Sequence, residues 1–141
     1  MKVIVLVKAT EHSEAGEPCG VTEMGRFNDE LLKAGVLLAV EGLQPSSQSV
    51  RVQLAGPDRA VTDGPFAETK ELVAGFWLWQ VKSMDEAIAW AKRCPNPSPD
   101  KLPQLEIRPV IESADFREQL APALRAQERR IRELPAIKKS P

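Results

Sequence analysis

Apolar positions recur at two periods along this chain, and the changes of period mark its elements. Val3-Ile4-Val5-Leu6-Val7 is apolar throughout and mostly β-branched, the pattern of a strand covered on both faces. Residues 8–20 are polar and read as a loop. Thr22 suits a helix N-terminus, and Met24, Phe27, Leu31 and Ala34 follow at spacings of three and four, which gathers them on one helical face. Lys33 fits the last turn and Gly35 the C-terminal cap. Residues 36–43 are again apolar on both faces, broken by Glu41-Gly42, and Gln44-Pro45-Ser46-Ser47 makes a turn. Val50, Val52 and Leu54 then alternate with Arg51 and Gln53, as on a half-exposed strand. Ala55-Gly56-Pro57-Asp58 turns the chain, and residues 59–62 return as a short strand, completing a hairpin.

The second half repeats the sequence of strand and helix. Phe76-Trp77-Leu78-Trp79-Gln80-Val81 carries large apolar residues on both faces. Ser83, with Glu86 three positions on, has the spacing of a capping box. Met84, Ala87, Ile88 and Ala91 then form the stripe of a helix reaching about residue 94, where Pro95 stops it. After a proline-rich connection, Leu105, Ile107 and Ile111 alternate with Glu106, Arg108 and Glu112. Pro109 assigns that run to a sheet edge or to a strand end. The order β-α-β-hairpin-β-α-β predicts an α+β domain over residues 1–112, ferredoxin-like with an added β-hairpin. Two helices cover one face of such a sheet. The other face still carries bulky apolar residues from three strands, so two subunits are expected to pack sheet against sheet as an isologous homodimer. Folding of the C-terminal segment over that face is the competing expectation.

That segment, residues 113–141, reads as a helical extension. Asp115 is a candidate cap, and Leu120, Leu124, Ile131 and Leu134 have the spacing of a narrow helical seam, with Gln127 at the intermediate position. Pro122 fits the first turn of a new helix better than the middle of one. Arg125, Arg129, Arg130 and Arg132 are interleaved with Glu128 and Glu133, which favours a solvated face with internal ion pairs over a nucleic-acid arm.

Charge and composition narrow the partners more than the fold. A net charge of -1 leaves no whole-molecule basic field, so nucleic acid is not an expected partner. The apolar run at residues 3–7 is too short for a secretory signal, and none approaches the roughly 18 residues of a membrane span. No membrane association is expected, and the chain is assigned to the cytoplasm. Cys19 and Cys94 have neither zinc spacing nor a C-x-x-C arrangement. No P-loop, G-x-G-x-x-G, H-E-x-x-H or G-x-S-x-G occurs. Neither a cofactor nor a metal is expected.

The densest chemistry lies in residues 61–71, V-T-D-G-P-F-A-E-T-K-E. Asp63-Gly64-Pro65 is a turn signal in which Gly64 tolerates positive φ and Asp63 is able to bond backbone amides. Asp63 is equally a candidate catalytic group, a general base or substrate anchor at a pocket mouth. Glu68, Lys70 and Glu71 place two carboxylates around an ammonium, an arrangement suited to acid–base work or simply to solvation. Glu68, Lys70 and Arg26 are candidate holders of a polar or anionic ligand, with Glu41 a further one. His12, the one histidine, is a second catalytic candidate, because only imidazole titrates near neutrality unaided. Phe76, Trp77 and Trp79 read as core or interface rather than pocket lining. These groups describe a dimeric pocket protein of unknown small-molecule ligand, with lyase or isomerase chemistry as the enzyme reading. A non-catalytic regulatory or interaction module is the alternative.

Residues 61–71 also resemble the signature of the DGPF-domain proteins within the YCII-related family. The resemblance extends through Lys8-Ala9, Ser13-Glu14-Ala15-Gly16, Met24-Gly25-Arg26-Phe27-Asn28, Ala34-Gly35-Val36-Leu37-Leu38 and Glu41-Gly42-Leu43-Gln44-Pro45. It continues in Gly75-Phe76-Trp77-Leu78-Trp79, Arg93-Cys94-Pro95-Asn96-Pro97 and Leu105-Glu106-Ile107-Arg108-Pro109. It implies a ferredoxin-like subunit in a dimeric α+β barrel, with a cleft between helix and sheet and the signature loop at its rim. Members are mostly uncharacterised bacterial cytoplasmic proteins, often encoded beside extracytoplasmic-function sigma factors, which implies a link to that regulation. The YCII branch carries a His–Asp pair with its histidine near the first helix. No histidine follows Cys19 in this chain, so that pair does not transfer. The loop between Gly16 and Met24 is also shorter than in close relatives.

Overall fold

The computed structural model describes residues 1–16, 21–96, 103–112 and 122–134. The chain divides into two compact units, Met1–Val110 and Ile111–Pro141.

The first unit is α+β, built on an antiparallel four-stranded sheet. Its strands are β1 (Lys2–Lys8), β2 (Leu37–Gly42), β5 (Val73–Gln80) and β6 (Leu105–Pro109), in the order β2-β5-β1-β6. The interleaved order follows from two β-α-β connections whose middle strands pair, the ferredoxin-like pattern expected from the sequence. Between β2 and β5 the chain makes a separate hairpin, β3 (Val50–Val52) with β4 (Val61–Asp63), in the register Val52↔Val61 and Val50↔Asp63. Helices α2 (Val21–Lys33) and α3 (Met84–Ala91) follow β1 and β5.

Strand alternation decides which residues the helices cover. Val3, Val5, Trp77 and Trp79 lie in the core with Phe27 and Leu31 of α2 and Ala87 of α3. Phe27 meets Trp77 edge-on, at 5.8 Å between centroids and 86°, the geometry that aromatic quadrupoles favour. The Trp77 indole donates to Asn28 Oδ1 at 2.7 Å. The alternate residues Ile4, Leu6, Phe76 and Leu78 are half-buried on the opposite face, paired Ile4↔Leu78 and Leu6↔Phe76.

Helix ends follow local chemistry. α2 closes in a Schellman arrangement: Gly35 sits at φ 72°, Val36 N–H donates to Leu31 O, and Gly35 N–H donates to Leu32 O. Lys33 pairs with Asp29 at 2.7 Å. Thr22 lies inside α2 rather than at its cap, and Ala34 is exposed. In α3 the Ser83 hydroxyl accepts from Glu86 N–H at 3.2 Å, but the Glu86 carboxylate turns to Lys82 N–H. The α-helix ends at Ala91, three residues short of the expected stop, because the last turn tightens into Arg93 to Trp90 and Cys94 to Ala91 bonds. Ile88 is exposed, and Trp90 packs against the core in its place.

The polar loop expected after β1 contains a single helical turn, α1 (Glu11–Glu14). Thr10 accepts from Ser13 N–H, and Ser13 accepts from Thr10 N–H, a capping box with serine at its third position.

In the second unit, α4 spans Pro122–Arg132 with Pro122 in its first turn, as the sequence predicts. Leu124, Ile131 and Leu134 are exposed, and Arg132 pairs with Glu128 at 2.9 Å. The expected cap at Asp115, the seam residue Leu120 and the thiol of Cys19 lie outside the described residues.

Candidate functional site

A cavity of about 290 Å³ opens on the helix-covered side of the sheet, where β1 ends and β5 and β6 begin. Val7, Met24, Ala74, Ala91 and Leu105 form its apolar wall, and Lys8, Thr10, His12, Ser13 and Asn96 supply polar groups. The presence of both Val7 and Lys8 needs explaining, since adjacent strand residues point to opposite faces. The β1–β5 register shifts between these two residues, and such an irregularity re-aims a side chain. Ala9 N–H then bonds Leu72 O at 2.9 Å and leads the chain into α1.

α1 carries His12 to the cavity wall, half-buried. Ser13 lines the same wall, but its hydroxyl donates to Thr10 O at 2.9 Å while accepting from Thr10 N–H. That engagement leaves Ser13 poorly set to act as a nucleophile. Cys94 also faces the cavity. Burial pushes its thiol up to about 11, and its Sγ lies 3.6 Å from Pro95 O, to which it donates. The group is therefore a neutral thiol near pH 7. Among the described residues, no group of His, Cys, Asp and Glu is placed to hold a metal ion.

The signature stretch stands outside the lining of this cavity. Asp63 ends β4 opposite Val50 and is exposed. Gly64 is there for close packing, not for positive φ: a Cβ on it would fall 1.7 Å from Ser46 O, and its N–H donates to Ser49 O at 2.8 Å. The Gly64–Pro65 bond is cis. Phe66 N–H donates to Ser46 Oγ at 3.2 Å, and the Arg51 guanidinium stacks 3.8 Å over the Phe66 ring. The left-handed residue is Glu68, at φ 60°, preceding a 3-10 turn at Thr69–Glu71 that holds Lys70.

Of the ligand-holding candidates, Glu68 and Lys70 are exposed on this loop. Arg26 is exposed on α2, and Glu41 is exposed on β2 opposite Phe76. None of them lines the cavity, whereas His12 does. Sequence reasoning passed over Thr10, Ser13, Cys94 and Asn96. They sit in two short stretches that looked like connections, Thr10 and Ser13 beside His12, and Cys94 and Asn96 on either side of Pro95, and both pairs line the cavity.

Fold and cavity together define a small α+β protein that encloses a mixed polar and apolar chamber between its helices and one end of an antiparallel sheet. The chain matches the YCII-related domain over residues 1–113 and belongs to that family. It is also 37% identical over 88 residues to an uncharacterized protein of Rhizobium meliloti (strain 1021), covering 62% of this chain and 70% of that relative.

Proposed function

We propose that this chain is a cytoplasmic homodimer that binds a small, largely apolar molecule with an anionic or hydrogen-bonding head, and acts on it as a lyase or isomerase through His12. The observation that carries this reading is the cavity, whose lining brings Lys8, His12 and Asn96 together with Val7, Met24, Ala74, Ala91 and Leu105. Apolar walls with a few convergent polar groups are the usual make-up of a ligand site. A neutral imidazole takes a proton from the substrate, and an ammonium beside it stabilises the negative charge that results. The engaged Ser13 hydroxyl and the neutral Cys94 thiol argue against covalent nucleophilic chemistry, so proton transfer is the better fit.

The dimer reading rests on Ile4, Leu6, Phe76 and Leu78, whose packing against a second copy would make a dimeric α+β barrel. Light scattering that gave a monomer mass would remove it. Benzoate and benzyl alcohol test the cavity by saturation-transfer NMR. Benzoate is expected to bind better than the alcohol, and Lys8→Met to abolish that preference. Equal binding of both by the native chain would overturn the anionic-head reading. The regulatory module, with a link to extracytoplasmic-function sigma factors, is favoured by the exposed apolar residues of α4 instead. Removing residues 113–141 should leave benzoate binding unchanged if the cavity is the working site.

A further inference from the structure

We propose that the signature loop acts on the cavity at a distance, through Glu14 and Ser46, which are positioning residues for His12. This rests on the reading of the cavity as the binding site. α1 is only four residues long. One helical turn of four residues does not support itself, because nucleation fixes several residues for a single hydrogen bond. Its placement depends on bonds to the rest of the unit, of which Ala9 N–H to Leu72 O is one at its near end.

Another such tie is at its far end. His12 and Ser13 line the cavity, whereas the Glu14 carboxylate reaches to the turn after β2. There both oxygens accept from Ser46 N–H, at 3.1 and 3.2 Å, and one also accepts from the Ser46 hydroxyl. Ser46 is 6% exposed, and hydrogen bonds to an ionised acceptor away from water are among the stronger ones. The same hydroxyl oxygen accepts from Phe66 N–H inside the signature loop. Gly64 presses its backbone against Ser46 O, where no side chain would fit. Arg51 then covers Phe66 from the hairpin. A continuous path therefore runs from Phe66 to Ser46, to Glu14, to the turn that bears His12. It joins segments 20 and 32 residues apart in sequence. Neither Glu14 nor Ser46 lines the cavity, so their effect on it passes through α1.

The test exploits the single histidine of the chain, whose ring carbon–proton resonances need no assignment. A second readout is the alkylation rate of Cys94, measured in a Cys19→Ser background. Ser46→Ala is expected to move and broaden the His12 resonances. It should also speed Cys94 alkylation about tenfold, as loss of a strong local hydrogen bond opens the wall. The near-UV circular dichroism of the Trp77–Trp79 cluster should stay as in the native protein. Glu14→Ala should have a larger effect than Ser46→Ala. Glu14→Gln, which keeps one acceptor oxygen, should restore part of the native spectrum. Unchanged His12 resonances and an unchanged Cys94 rate in folded Ser46→Ala would overturn the proposal. If Glu14→Ala loses the tryptophan signature, Ser46→Ala decides, since it removes one hydroxyl and leaves the backbone. Both readouts are made without ligand. A cavity that binds no probe and a loop that does not position His12 therefore give separate negative results.

Discussion

The signature loop and the cavity wall invert the impression that sequence gives of them. Residues 61–71 hold four charged side chains in eleven positions. In the fold their backbone is the working part: Gly64 packs on Ser46, Phe66 N–H is bonded, and Asp63, Glu68, Lys70 and Glu71 are exposed. The cavity wall is assembled from separate stretches between residues 7 and 105, and Lys8, His12, Cys94 and Asn96 meet there. A cluster of charges in sequence marks a loop well solvated enough to carry them. A cluster in space, partly screened from water, is what alters chemistry.

The largest expected effect separates the two regions by stability. Gly64→Ala forces a methyl to within 1.7 Å of a main-chain oxygen, which the backbone relieves only by moving the whole loop. A loss of about 3–5 kcal/mol is expected by urea unfolding, in the range reserved for gross overpacking. His12→Ala, at a half-exposed position on the cavity wall, should cost about 1 kcal/mol or less. Similar costs for both would erase the distinction between a structural loop and a functional wall.

Next comes a test of how dry the wall is. Burial holds the Cys94 thiol at about 11. At pH 8 this leaves roughly a hundredfold less thiolate than an ordinary cysteine has, and iodoacetamide modification of Cys94 should slow accordingly. The sign for stability follows from the raised value. The neutral thiol is favoured in the folded state, so this contribution is complete below the ordinary thiol pKa and is lost as pH rises through about 11. The native protein should lose more stability between pH 8 and pH 10.5 than Cys94→Ala does. Equal losses would mean that water reaches the thiol freely.

A smaller effect probes the loop from the hairpin side. Arg51→Ala removes the guanidinium from the Phe66 ring, 3.8 Å away. Such contacts contribute about 0.5–1 kcal/mol at exposed sites. Thermal denaturation should show that loss with His12 resonances little changed, because the Phe66 N–H bond to Ser46 survives.

Much of the fold was legible because it depends on periodicity. The unbroken apolar run at residues 3–7 translates into β1, and the 24-27-31 spacing with the Gly35 terminus into α2. The hairpin was legible from alternation and turn residues. α1 was not, since Thr10 and Ser13 make a capping box with serine where the usual pattern has glutamate or glutamine. The reason for Gly64 was hidden for a different cause. Its constraint is set by Ser46, eighteen positions earlier, and local sequence distinguishes a glycine needed for φ from one needed for space only with difficulty. His12 was named from its chemistry, but its placement depends on Glu14 reaching Ser46, a tertiary contact with no sequence pattern.

The smallest expected effect is the most decisive for the role of Asp63. Asp63→Asn keeps the shape of an exposed side chain at the end of β4 and leaves the Gly64 N–H bond to Ser49 O in place. Stability should stay within about 0.5 kcal/mol of native, as for most surface substitutions. Because Asp63 is absent from the cavity lining, benzoate binding and any turnover should be retained as well. His12→Asn, which removes the imidazole from the cavity wall, should abolish turnover at unchanged fold. The opposite pair of results would return catalysis to the signature loop: a folded Asp63→Asn protein without activity beside an active His12→Asn protein. The charge of Asp63 would then matter through a ligand bridging loop and wall, and the division between a structural loop and a chemical cavity would fall.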